Sequence, residues 1–149
     1  MYALTDKDVF SRKGSPIFVL DYERNTTIQT MIKNANSKNN DSHIALELAD
    51  IKSILNAEGF TSSISNISVG KDAHLKVISP FVKFYKNNQT LKALLVCFTI
   101  HKDYSVMALK KVIDECENIL ISNVEIIFSI LINNELKNDE VQMNMIIKY

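Results

Sequence analysis

From residue 43 onward, apolar positions alternate between helical and extended spacing. Leu48, Ile51 and Leu55 lie three and four apart within residues 46–58, which puts them on one stripe of a helix. Gly59 follows where helices commonly end. Residues 60–69 read as a Ser-rich strand carrying Phe60, Ile64 and Ile67 in imperfect alternation. Gly70, Lys71 and Asp72 open a second helical pattern through Leu75, Ile78, Phe81 and Val82. Pro80 lies inside that pattern and should end or kink it, because it offers no N–H to the helix. Leu94–Ile100 is nearly unbroken apolar sequence, which predicts a central strand covered on both faces. Ser105 then suits the N-cap of a helix whose Val106, Leu109, Ile113, Cys116 and Leu120 step by three and four. Residues 124–132 and 141–147 read as strands around the polar loop 133–139, expected to pair as an antiparallel hairpin.

The chain before residue 43 is patterned more loosely. Residues 1–15 are polar and irregular, and Pro16 opens a strand-like run, Ile17–Tyr22. Asn25 or Thr26 can cap a short helix through Ile28, Met31, Ile32 and Ala35. Residues 34–42, NANSKNNDS, read as a linker, since their side chains compete for the backbone and have nothing to pack. These readings predict an N-terminal strand–helix appendage with its linker, residues 1–43, and an α+β domain, residues 44–149. The domain should be a mixed sheet of about four strands with two or three packed helices.

Composition narrows the function classes. A chain of 149 residues, 46% hydrophobic, suits one globular domain. Seventeen basic residues balance seventeen acidic ones, so no overall field draws the chain to nucleic acid or an anionic membrane, and neither is expected as a partner. No apolar run approaches the ~18–20 residues needed to span a bilayer. Asp6 and Asp8 stand where a signal peptide would be apolar, which points to a cytoplasmic protein. Cys97 and Cys116 occupy apolar positions and read as reduced core thiols.

Candidate chemistry is sparse. Three isolated Gly cannot form a phosphate-binding loop, and no Gly-Xaa-Ser-Xaa-Gly elbow occurs. Gly70 reads as a turn glycine more readily than as an anion seat. His43, His74 and His101 lie at no metal-ligand spacing from one another or from a Cys, so no metal is expected. One pair of carboxylates stands apart. Glu47 and Asp50, three residues apart, point to one side of the first turn of their helix. There they favour the helix dipole by ~0.3–1 kcal/mol each, or face an interface toward water, a metal or a phosphate edge. Spacing alone leaves both roles open.

Four segments, taken in order, resemble the C-terminal domain of FtsZ, the bacterial tubulin-like division GTPase. Residues 44–59, IALELADIKSILNAEG, are similar to that family's synergy loop and following helix, usually written Asn-Xaa-Asp-Phe-Ala-Asp-Val-Lys. Residues 69–74, VGKDAH, with Ile78-Ser79-Pro80, resemble its Ser-Gly-Glu opening and the Ser-Pro that ends the same helix. Residues 91–100, LKALLVCFTI, resemble its central strand, and residues 123–147 resemble its closing hairpin. The resemblance implies the FtsZ/tubulin C-terminal fold over residues 44–149, and a site at Ala45, Glu47, Asp50 and Lys52. It also shows departures. Ala45 replaces the loop's Asn and Glu47 its first Asp, while Asp50 matches; His101, Lys102 and Asp103 replace a Gly-Gly turn. Residues 1–43 are too few for the GTP-binding half, and the chain ends at Tyr149 without the acidic–apolar tail that binds division partners.

The loop of FtsZ completes a neighbour's hydrolytic site, where water placement tolerates errors of only about an ångström. The expectation is therefore a stand-alone, non-catalytic interaction domain in cell division or cytoskeletal regulation. It would have no catalytic residues, no cofactor and no intrinsic GTPase activity. Its partner would be FtsZ, a similar filament, or a second copy in a homo-oligomer. Two other readings remain: a small oligomeric enzyme using Glu47, Asp50, Lys52 and His101 between subunits, or a structural subunit of an unrelated assembly.

Overall fold

The apolar run at Leu94–Ile100 becomes the middle of the molecule. In the computed structural model, residues 25–36, 41–87, 90–120 and 123–149 are described. Their elements are α1 (Thr26–Asn36), β1 (Asp41–Ile44), α2 (Leu48–Asn56), β2 (Thr61–Val69), α3 (Ala73–Val77), α4 (Ser79–Asn87), β3 (Ala93–Ile100), α5 (Val106–Ile119), β4 (Glu125–Ile132) and β5 (Glu140–Lys148). The strand expected at Ile17–Tyr22 lies outside the described residues. The five strands form one mixed sheet in the order β1-β4-β3-β5-β2. β3 is parallel to β4 and antiparallel to β5, and the two edge strands pair antiparallel with their neighbours.

Each sheet face has its own core, as period-two alternation requires. Leu94, Val96, Phe98 and Ile100 of β3 face one side, with Met143, Met145 and Ile147 of β5, under α3, α4 and α5. Leu95 and Cys97 face the other, with Leu131 and Ile146, under α1 and α2. Ile28, Met31 and Ile32 of α1 are buried there against Ile51, Ile54 and Leu55 of α2, so the helix within residues 1–43 contributes to this layer.

Three expectations are corrected. Among the described residues the sheet has five strands rather than about four, because Asp41–Ile44, which begins inside the expected linker 34–42, forms the short edge strand β1. Burial of Ile44 against the larger core, beside Ile130, outweighs the local polarity. The closing hairpin does not form either: β3 lies between β4 and β5. Both edges of a strand buried on two faces must be paired, and a seven-residue loop can cross the ~10 Å of two strand spacings that a tight turn cannot. The loop is fastened as it crosses, by Asn133 N–H to the Ile100 carbonyl at 2.8 Å. Finally, α2 ends at Asn56 with Ala57 as C-cap, before Gly59. Gly59 instead adopts φ +114°, and a Cβ there would lie 2.6 Å from the Tyr149 carbonyl oxygen. Pro80 behaves as expected: α3 stops at Val77, and Pro80 sits in the first turn of α4, where a missing N–H costs nothing.

Candidate interaction site

Residues 45–47 connect β1, at one edge of the sheet, to α2, which crosses beneath β3 and β5 toward β2 at the other edge. Leu46 is buried in the α1–α2 core and anchors this turn, while Ala45 and Glu47 are exposed on either side of it. Register slips between Ser42 and Ile44, which leaves His43 out of the β1–β4 pairing.

Glu47 is the N-cap of α2 by backbone position, at φ −96° and ψ 134°. Its carbonyl accepts from Asp50 N–H at 3.1 Å and Ile51 N–H at 3.4 Å, but its carboxylate makes no capping bond. Asp50 lies half-buried in the first turn and Lys52 is exposed. Among the described residues, neither Glu47 nor Asp50 has a side-chain hydrogen bond or ion pair. The local arrangement is thus two carboxylates at the positive end of a helix, with Glu47 directed at solvent. It can accept hydrogen bonds or face a cation.

His101 is not brought to this pair. It starts the loop after β3, where Nδ1 accepts from Asp103 N–H at 3.1 Å and lies 3.6 Å from Asp103 Oδ2. That loop is tied to the β4–β5 loop by Lys102 N–H donating to Asn134 Oδ1 at 3.1 Å. Among the described residues, no hydrogen bond or ion pair joins His101 to Glu47, Asp50 or Lys52, and no three His, Cys, Asp or Glu side chains are placed to hold a metal.

Two polar features escaped sequence reasoning. Tyr104 OH accepts from His74 N–H at 3.1 Å and meets His74 Nδ1 at 2.9 Å. Burial holds the Tyr104 phenol above its ordinary range, and the charges of Asp72 and Asp139 push it further, against the lowering hydrogen bond from His74. Lys148 is 1% exposed, with Nζ donating to the Leu55 carbonyl at 3.2 Å and to Thr61 Oγ1 at 2.6 Å. A cation at the C-terminal end of α2 meets the negative end of that helix. Its one sequence signal was strand alternation, which turns position 148 inward with Ile146. The apolar cleft between α5 and the sheet, lined by Val96, Ile113, Ile126 and Phe128, offers no polar group to orient a ligand.

No helix among the described residues is long and apolar enough to cross a membrane. No protein-family profile matches the sequence, and no curated protein matches it. Solved structures do. The chain is similar to FtsZ of M. jannaschii as a W319Y mutant, with a TM-score of 0.64 and 16% identity over 93% of this chain and 43% of that one. It is also similar to an empty FtsZ dimer of the same organism, with a TM-score of 0.60 and 15% identity over 96% and 43%. The alignments reach beyond residues 44–149, so the match takes in part of the N-terminal segment as well. The chain spans less than half the length of the FtsZ chains it matches, and over that span it has the FtsZ fold.

Proposed function

We propose that this chain is a non-catalytic, FtsZ-like protein-interaction domain that binds FtsZ or a related filament, or a second copy of itself, in cell division or cytoskeletal regulation. Ala45, Glu47, Asp50 and Lys52 form the contact surface in this reading. The observation that carries it is the β1–α2 turn: a buried Leu46 fixes it, while the Glu47 carboxylate is left exposed and without a partner among the described residues. A charge set in place but unsatisfied suits recognition by another surface, where it steers association and fixes register. The role needs only binding, so the departures at Ala45 and Glu47 do not count against it.

Co-sedimentation with FtsZ from the same source tests the proposal. The chain should enter the polymer pellet or lower polymer mass and GTP turnover, and Glu47→Ala with Asp50→Ala should remove the effect. No binding, with polymer mass and turnover both unchanged, would sink it.

A further inference from the structure

The far edge of the sheet has a different character. β2 pairs with β5 over nine consecutive residues without a bulge. Thr61–Val69 contains no charged residue, no Pro and no Gly. Edge strands ordinarily carry such features, which keep their outer hydrogen-bonding groups from meeting another chain.

Antiparallel alternation shows which groups face outward. Phe60 and Tyr149 exchange hydrogen bonds of 2.7 and 2.9 Å, and Gly70 N–H reaches the Asp139 carbonyl at 3.1 Å. The even-numbered residues of β2 therefore bond to β5, and the odd-numbered ones direct N–H and C=O away from the sheet. Among the described residues, the backbone groups of Ser63, Ser65, Ile67 and Val69 find no partner on that side.

The side chains divide along the strand. α1 lies over its first half, where Asn25 Nδ2 donates to Ser63 Oγ at 2.6 Å and Thr61 and Ser63 are half-buried. Its second half is open, with Ile67 58% and Val69 43% exposed.

We infer that β2 pairs antiparallel with β2 of a second copy, about a two-fold axis at Ser65, joining two sheets into one. In that register the outward N–H and C=O groups of Ser63, Ser65 and Ile67 meet their complements. Ile67 comes opposite Ser63 of the partner subunit, and Val69 opposite Thr61 of the partner subunit. The open half of each strand then lies beside the half that α1 covers in the other copy. Two-fold pairing supplies this match by symmetry, whereas a foreign strand would need its own. The strand is uncharged and the chain's net charge is zero, so neither strand charges nor an overall field oppose the contact. The β1–α2 turn lies at the opposite edge and stays free, so this pairing stands or falls separately from filament binding.

Sedimentation velocity of the full chain over a wide concentration range tests it. Ile67→Pro removes an outward N–H without touching the β5 ladder, and Ser65→Lys sets two like charges directly opposite each other at the axis. The wild type should show a concentration-dependent monomer–dimer equilibrium, and each variant should raise its dissociation constant at least about tenfold. Amide hydrogen exchange at Ser65 and Ile67 should slow as concentration rises. If Ile67→Pro loses its cooperative melt, Ser65→Lys decides. A wild type that stays monomeric, or a dimer that neither variant weakens, overturns the inference. Protection of the two amides that is equal at all concentrations overturns it too, because the chain itself would then cover the edge.

Discussion

Burial sets the chemistry of both thiols. Cys97 is held at a pKa of about 11, against an ordinary 9.0, by burial that the hydroxyls of Ser129 and Thr99 only partly offset. Cys116 is also pushed to about 11, by burial first and then by the charges of Glu115 and Glu117. The thiolate is the reactive form, so both should resist alkylation in the native protein near pH 8 and react on unfolding, which mass spectrometry after iodoacetamide treatment measures. The linkage sign follows. A folded pKa above the unfolded one means that the native state holds its proton more tightly. The resulting stabilisation is complete below pH 9 and is lost as pH rises toward 11. The urea midpoint should fall across that window, and a Cys97→Ala, Cys116→Ala variant should flatten the fall. Gly59 is constrained differently, by positive φ and by the carbonyl of Tyr149 2.6 Å from where a Cβ would lie. Gly59→Ala should cost roughly 1–3 kcal/mol, read from the same denaturation curves.

Among the elements, α5 shows sequence and structure in agreement. Ser105 Oγ accepts from Ala108 N–H at 3.2 Å, and Leu109, Val112 and Ile113 are buried below it. Ser105→Ala should lower stability by about 1 kcal/mol, with Ser105→Asp restoring most of it. β3 and α5 were legible because their signals are local: an unbroken apolar run, and a cap followed by a stripe. β1 was not, since Asp41–Ile44 is a strand only because β4 lies beside it. The order of the last strands was hidden for the same reason, as β4 and β5 look alike whether β3 separates them or not. At the candidate site, spacing placed Glu47 and Asp50 in the first turn of a helix. It did not show that Glu47 fails to cap that turn, which depends on side-chain direction. Lys148 was equally hidden, because its partners Leu55 and Thr61 lie 93 and 87 residues away in sequence.

At the scale of the whole molecule, the two sheet edges are unlike each other. One ends in the four-residue β1 and the acidic turn that follows it; the other is the nine-residue, uncharged β2. If the proposed filament contact and the inferred β2 pairing both hold, a dimer joins two filament contacts, one through each copy. Salt should separate them. Filament binding through Glu47 and Asp50 should weaken as ionic strength rises, because exposed charges are screened, while backbone pairing at β2 should change little. Co-sedimentation and sedimentation velocity, each across a salt series, measure the two responses.

β5 is the latest of the five strands in the chain, yet it stands between β3 and β2. During synthesis, β2 leaves the ribosome about 80 residues before β5, its sheet neighbour among the described residues, exists, and β3 waits with one side open. The sheet therefore cannot close from its beginning, and a nascent chain halted before Glu140 should remain protease-sensitive and in need of a chaperone. Among the described residues, the arrival of Glu140–Lys148 joins β2 to the β1-β4-β3 strands, which have no sheet contact with it otherwise.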